Sequence, residues 1–326
     1  MTRPRIGFVG VGWIGRHRMA AMLATGAVDA AAIFEPSAEM RDAALTVAPA
    51  AAPVESFEAL LDRGVDGVVI ASPSALHADQ SIRALEAGTA VFCQKPLGRS
   101  AVEARGVVDA ASRADRLLAV DFSYRFTEGM RQIRDLVRSG ALGKIYAVDL
   151  IFHNAYGPDK AWFYDKALSG GGCLMDLGVH LIDLAMWVLD FPAVSMVSAT
   201  LVSAGEKISE ASVEDYAAAS FTLGRHISAR LACSWRLPAG QDAVISAAFY
   251  GTDGGAALRN VGGSFFDFTA ERFAGTERVL LASPPDDWGG RAAADWATRL
   301  AHGARYDPEA ERLIAVAEVL DRIYAA

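Results

Sequence analysis

The residues best suited to chemistry in this chain of 326 residues lie in the run Gly-Gly-Gly-Cys-Leu-Met-Asp-Leu-Gly-Val-His-Leu-Ile-Asp-Leu-Ala-Met-Trp-Val-Leu-Asp, from Gly170 to Asp190. From Cys173 the run reads as a helix. At about 100° per residue, Asp176, His180 and Asp183 fall on one line at i, i+4 and i+7. Such a line is ordinarily the wet face of a surface helix. Here, between Gly172 and Asp190, there is no Lys, Arg, Glu, Gln, Asn, Ser or Thr, and Val179, Ile182 and Met186 cover the other sides. A helix that is apolar nearly all round is buried. Buried Asp and His are costly unless paired or put to use, so the helix is expected to point acid–base groups into a closed cleft. Asp183, more than a turn further on, is expected to be structural, and Gly178 to let the helix pack closely on a sheet.

The elements that must position these groups follow from periodicity. Residues 5–9 form a short apolar strand that runs into Gly10-Val-Gly12-Trp13-Ile14-Gly15 and a helical stretch to about Thr25. Strand, glycine turn and helix are the context of a dinucleotide-binding fingerprint. Gly10 permits the tight turn, Gly12 lets the backbone approach a pyrophosphate, and Gly15 lets the helix pack on the strand. The phosphates then meet a positive helix N-terminus. A second strand, 28–34, ends in Glu35, placed to hydrogen-bond the adenosine ribose. Helices at 56–62, 74–87 and 100–113 alternate with apolar strands at 65–70, 89–93 and 117–120. This pattern predicts a doubly wound parallel sheet whose ligand-binding edge collects Ser72, Pro73, His77, Gln94, Lys95, Pro96 and residues 122–125.

After about Phe126 the pattern changes: a helix at 128–139, an extended strand at 144–154, an aromatic loop with Tyr156, Trp162 and Tyr164, and then the acid-bearing helix. From Ala193 strands are expected at 194–203, 213–223, 226–235, 243–250, 256–259, 264–271 and 277–282, with closing helices at 290–302 and 308–324. The fold class is therefore α/β: a Rossmann domain, 1–122, then an α+β domain, 123–326, with a large, mostly antiparallel, open-faced sheet.

A net charge of −8 without a basic run argues against nucleic acid and against an anionic membrane surface. Cys93, Cys173 and Cys233 are odd in number, far apart and not in metal-ligand spacing, which implies buried free thiols in a reducing compartment. No third ligand accompanies Asp176 and His180, so no metal site is expected. No uncharged run approaches the roughly 20 residues needed to cross a bilayer, and the glycine-broken N-terminal segment, leading straight into the fingerprint, is not expected to be a signal peptide. A cytoplasmic protein is expected.

Four motifs in order carry a family resemblance: Gly10-Val-Gly12-Trp13-Ile14-Gly15, Ala71-Ser72-Pro73-Ser-Ala-Leu-His77, Gln94-Lys95-Pro96, and Gly170-Gly-Gly172 through Asp176 and His180. The chain resembles the glucose–fructose oxidoreductase, inositol dehydrogenase and MocA group of NAD(P)-dependent oxidoreductases. The resemblance implies hydride transfer between a nicotinamide and a sugar or cyclic polyol, with Lys95, Asp176 and His180 at the reacting centre. One departure stands out. The family's usual glutamate before Lys-Pro is Gln94 here, beside the expected nicotinamide ribose. Glu35 would repel a 2′-phosphate, so NAD is expected over NADP. Arg125, His153, Asn154, Tyr156, Trp162 and Tyr164 are the expected substrate contacts, together with Asp176 and His180. The open sheet face predicts a homodimer or homotetramer. Two other functions fit the motifs: a non-catalytic dinucleotide-binding regulator, and a glycosidase that uses NAD only transiently. Net cofactor reduction during turnover separates the three.

Overall fold

The computed structural model describes residues 2–209 and 212–326 and divides the chain into two compact units. The first comprises Met1–Asp121 and Gly290–Ile314, the second Phe122–Gly289 and Ala315–Ala326. The chain thus leaves the first unit where the sequence pattern changes, but it returns there for 290–314, which a single cut after residue 122 does not foresee. The physical reason is Trp296. It is fully buried, with its ring 5.9 Å from that of Phe92. A Cβ on Gly67 would lie 2.6 Å from the same indole, so the strand can accept this ring only because residue 67 has no side chain.

In the first unit, β1 (Arg5–Val9), β2 (Asp29–Phe34), β3 (Ala52–Val54), β4 (Gly67–Ile70), β5 (Ala90–Cys93) and β6 (Leu118–Val120) form a parallel sheet in the order β3-β2-β1-β4-β5-β6. That order reverses direction beside β1, where open α/β sheets bind ligands outside the carboxyl ends of their strands. Two elements were not foreseen: β3 itself and the helix Ala38–Val47 before it. Strand β3 is three residues long and contains Pro53, which is tolerated because β3 is the sheet edge.

The register aligns the strand ends. Val9 lies opposite Phe34 and Ile70, Ile70 opposite Cys93, and Cys93 opposite Val120. The next residue of each strand, Glu35, Gly10, Ala71, Gln94 and Asp121 in strand order, therefore forms a row along the carboxyl edge. Backbone bonds continue into this row: Gly10 N–H donates to Phe34 O at 3.0 Å, Ala71 to Val9 O at 2.7 Å, Gln94 to Ile70 O at 2.8 Å and Asp121 to Cys93 O at 2.9 Å.

Among the described residues of the second unit, nine strands make one sheet. They are β7 (Ile145–Asn154), β8 (Val194–Ser203), β9 (Glu206–Lys207), β10 (Tyr216–Leu223), β11 (Ile227–Ser234), β12 (Ala243–Gly251), β13 (Gly255–Asn260), β14 (Phe268–Ala274) and β15 (Glu277–Ala282). Their order is β15-β14-β13-β12-β7-β11-β10-β8-β9, antiparallel except for the parallel pair β7–β11. Along β7 the sides alternate. Val148, Leu150 and Phe152 are buried, while Asp149, Ile151 and His153 on the other side are part-exposed. The stretch Lys166–Val188 has the length and apolarity of a membrane span, but 83% of its most apolar window is buried inside the protein. It is the core helix of this unit, interrupted by the left-handed Gly170.

Candidate active site

Within the first unit the glycine fingerprint has the geometry its spacing implied. Gly10 has φ +77°, and a Cβ there would lie 2.5 Å from Ala71 O; on Gly15 it would lie 2.1 Å from Gly10 O. The helix Trp13–Ala24 starts after Gly12 with no side-chain cap and no acidic residue in its first turn. Its first N–H groups and the positive end of its dipole thus suit an anion such as a pyrophosphate. Trp13 is exposed and stacks on His17 at 5.7 Å, and Ile14 is part-exposed beside it. Glu35 does two local jobs: Oε2 accepts from Val11 N–H at 2.9 Å and Oε1 from Ser37 N–H at 3.0 Å. The carboxylate thus ties the end of β2 to the glycine loop.

The loop after β4 and the loop after β5 are joined by His77. Its Nδ1 is 2.7 Å from Pro96 O and its Nε2 2.7 Å from Ser72 O. Burial pushes the imidazole pKa down, and the Lys95 charge acts in the same direction, against the two carbonyl contacts. A neutral ring donates to only one of those carbonyls at a time. His77 is therefore a clamp between the loop at Ser72 and the backbone just after Lys95, while the Ser72 hydroxyl donates to Gln80 Oε1 at 2.7 Å. Lys95 itself is part-exposed.

In the second unit the acid-bearing helix differs from a uniform α-helix. It opens with a π-helical turn, Leu174–Gly178, and becomes α-helical over Val179–Val188. Such turns recur at functional sites. Asp176 and His180 are part-exposed, whereas Asp183 is 1% exposed. Asp176 Oδ2 accepts from the indole N–H of Trp235 at 3.1 Å. His180 meets Tyr124 edge-on, with ring centroids 5.0 Å apart and planes at 67°.

The glycine run before this helix is required by its neighbours. A Cβ on Gly171 would lie 2.0 Å from the Tyr324 hydroxyl, and one on Gly172 would lie 1.9 Å from Glu214 O. The Glu214 carboxylate accepts from Gly172 N–H at 3.0 Å, Leu174 N–H at 2.9 Å and the Tyr324 hydroxyl at 2.9 Å. Burial pushes its pKa up against these bonds. Gly178 lies beside Cys233: a Cβ there would be 3.3 Å from its sulfur, which fits the expected close packing on the sheet. The three cysteines are free and buried.

Several expected substrate contacts are engaged elsewhere. Arg125 grips Asp183: its Nε donates to Oδ2 at 2.8 Å and its Nη2 to Oδ1, while its guanidinium lies 5.2 Å from the Phe122 ring centroid and 5.6 Å from that of Phe191. It is an internal strut. His153 faces away from the acid helix. It lies on the β7 side opposite Phe152, bonds Ser234 Oγ at 2.8 Å and stacks on Tyr216, and burial pushes its pKa down. The alternation that turns His153 away places Asn154 on the Phe152 side, where its buried Oδ1 has no hydrogen-bond partner among the described residues. Trp162 stacks on Phe163 at 3.8 Å; Phe163 and Tyr164 abut Trp235, at 6.2 and 5.5 Å. Tyr156 is exposed and leans on Phe265 instead. The aromatic loop therefore reaches Asp176 through Trp235, a residue that sequence reasoning missed because it stands just past the end of a strand. Glu214 carried a visible signal, an acid before an apolar strand.

Comparison with known proteins agrees with this architecture. A family described as "Oxidoreductase family, NAD-binding Rossmann fold" matches residues 4–122, and the GFO/IDH/MocA C-terminal domain matches residues 130–257. The chain belongs to the GFO/IDH/MocA oxidoreductase family. Among curated relatives it is 41% identical over 135 residues to D-glucoside 3-dehydrogenase of Escherichia coli (strain K12), covering 41% of this chain and 38% of that protein. It is 33% identical over 192 residues to the rhizopine catabolism protein MocA of Rhizobium meliloti, covering 58% of each. The matched regions thus span less than two thirds of these relatives' length. Among solved structures, GenD2 from gentamicin A biosynthesis, in complex with NAD, superposes with a TM-score of 0.82 at 25% identity, covering 100% of this chain and 94% of that one. Levoglucosan dehydrogenase in complex with NADH and levoglucosan shares the fold, with a TM-score of 0.84 at 20% identity and coverage of 99% and 97%.

Proposed function

We propose that this protein transfers a hydride between NAD(H) and a carbinol or carbonyl carbon of a sugar or cyclic polyol. The observation that carries the reading is the occupied row at the carboxyl edge of the first sheet, Glu35 at one end and Gln94 next to Lys95 toward the other. In the second unit an acid and a histidine, Asp176 and His180, share one helix turn with Asp176 held by an indole. The sugar-acting names of the relatives support the substrate class.

When bound, the nicotinamide supplies the hydride acceptor. A carbinol that loses hydride must also lose its hydroxyl proton, so a base has to reach that oxygen. His180 takes this proton, since a neutral imidazole nitrogen can accept one. Asp176, steadied by Trp235, holds the substrate or the imidazole. The Lys95 cation stabilises the developing alkoxide. Glu35 favours NAD over NADP because a 2′-phosphate would meet a carboxylate. The mixed open face of the second sheet pairs with another copy of the chain. There, Arg230 and Asp149 form a bidentate ion pair beside Ile151, Ser198, Thr200 and Ser220, in a groove of about 510 Å³. Light scattering at micromolar concentration checks this, and a monomer would count against it. A cytoplasmic location goes with this reading.

The deciding experiment follows NADH absorbance over a panel of aldoses, inositols and their keto forms, with wild type, Lys95→Ala and His180→Ala. Net reduction of NAD with wild type, and kcat lower by on the order of 10²-fold in each variant, is expected. Turnover without net reduction would point to the transient-redox glycosidase, and no turnover on any substrate to the regulator. A kcat/KM with NADP equal to or above that with NAD would overturn the role given to Glu35.

A further inference from the structure

At the carboxyl ends of β5 and β6 three polar side chains are almost wholly buried: Arg18 is 7% exposed, Gln94 8% and Asp121 1%. Arg18 Nε donates to Asp121 Oδ2 at 2.6 Å, and Gln94 Nε2 donates to the same oxygen. Arg18 also bonds His17 Nδ1 at 2.9 Å. Nothing in the hydride-transfer scheme above uses Arg18 or Asp121.

We propose that Asp121 is a positioning residue that turns the Gln94 amide so that its carbonyl oxygen accepts a hydrogen bond from a ribose hydroxyl of the bound dinucleotide. The inference rests on the proposed function and deepens it. A glutamine can present either end of its amide to a ligand. An aspartate held by a guanidinium only accepts, so it draws the NH₂ end toward itself and leaves Oε1 as the outward group. Among the described residues none donates to Oε1. Gln94 stands three strand positions from Glu35 in the edge row, about 14 Å at the usual 4.7–4.9 Å between strands. Two hydroxyl acceptors so spaced suit the two riboses of one extended dinucleotide. Gln94 is thereby an acceptor, as a carboxylate at 94 would be. A glutamate there would instead face the Asp121 carboxylate, and two such charges in contact oppose each other's ionisation.

The test is a charge relocation read by calorimetric binding of NAD⁺, which needs no turnover. Asp121→Asn offers an NH₂ of its own to Gln94, so the amide can turn and present a donor to the ribose. The Kd for NAD⁺ is expected to rise about tenfold, the scale of one exchanged hydrogen bond. Adding Gln94→Glu to Asp121→Asn restores an acceptor at 94 and a carboxylate near Arg18, and should return Kd to within about threefold of wild type. The Kd for AMP, which carries only the adenosine ribose, should stay unchanged in both variants. Unchanged NAD⁺ affinity in Asp121→Asn would overturn the proposal. So would a double variant that binds NAD⁺ no better than the single one, or equal losses for AMP and NAD⁺, which place the effect in folding. If wild type binds neither NAD⁺ nor NADP⁺, the dinucleotide reading itself fails, a result distinct from failure of the Asp121 variants alone.

Discussion

Replacing Arg125 with methionine tests whether its guanidinium serves Asp183 or a substrate. Asp183 is 1% exposed, and burial raises its pKa while the Arg125 charge and hydrogen bonds oppose that rise. A raised folded-state pKa means that the folded protein holds this proton more tightly than the unfolded chain. Stability linked to the group therefore falls as pH climbs above the ordinary carboxylate range. Removing Arg125 deletes the opposing influence and raises the pKa further. The cost has a ceiling, because the stranded carboxyl can always take a proton. From an unfolded value of about 3.9 to pH 7, that ceiling is roughly 4 kcal/mol at 1.36 kcal/mol per pH unit. Arg125→Met should therefore lower the unfolding free energy by roughly 2–4 kcal/mol at pH 7. The deficit should shrink as pH falls toward 5, by up to about 1.4 kcal/mol per unit. Urea unfolding of wild type and variant at the two pH values reads this directly; the substrate KM should stay within about twofold of wild type. A variant with wild-type stability at both pH values and a KM raised tenfold would refute the strut and return Arg125 to the substrate.

Trp235→Phe keeps a ring against Phe163 and Tyr164 but deletes the N–H that Asp176 accepts. The loss of kcat/KM should be about tenfold with stability lowered by no more than about 1.5 kcal/mol; unchanged kinetics would detach Asp176 from the site. Gly172→Ala forces a methyl against the Glu214 backbone, 1.9 Å from its carbonyl oxygen. It should cost at least about 1–3 kcal/mol and lower kcat, so a thermal melt identical to wild type would show that the loop is not held there. Trp296→Ala should destabilise the first unit by about 3–5 kcal/mol, seen as an earlier thermal transition, if 290–314 completes that unit's core.

What the sequence determined by itself is the part of the protein governed by local rules. The glycine fingerprint, the alternating apolar strands and helices of residues 1–122, and the antiparallel strands after Ala193 were legible because turn geometry and period-2 or period-3.6 burial act within a few residues. The acid-bearing helix was legible for the same reason: an apolar run that still carries Asp176, His180 and Asp183 needs a purpose for each. Only tertiary structure decided who meets whom. Arg125 found Asp183 across 58 residues, Asp121 found Arg18 across 103, and Trp235 found Asp176 across 59. It also decided that the segment bearing Trp296 returns to the first unit and that His153 faces away from His180. Buried polar groups must be satisfied, but the partner that satisfies them can come from anywhere in the chain, and periodicity carries no record of that distance.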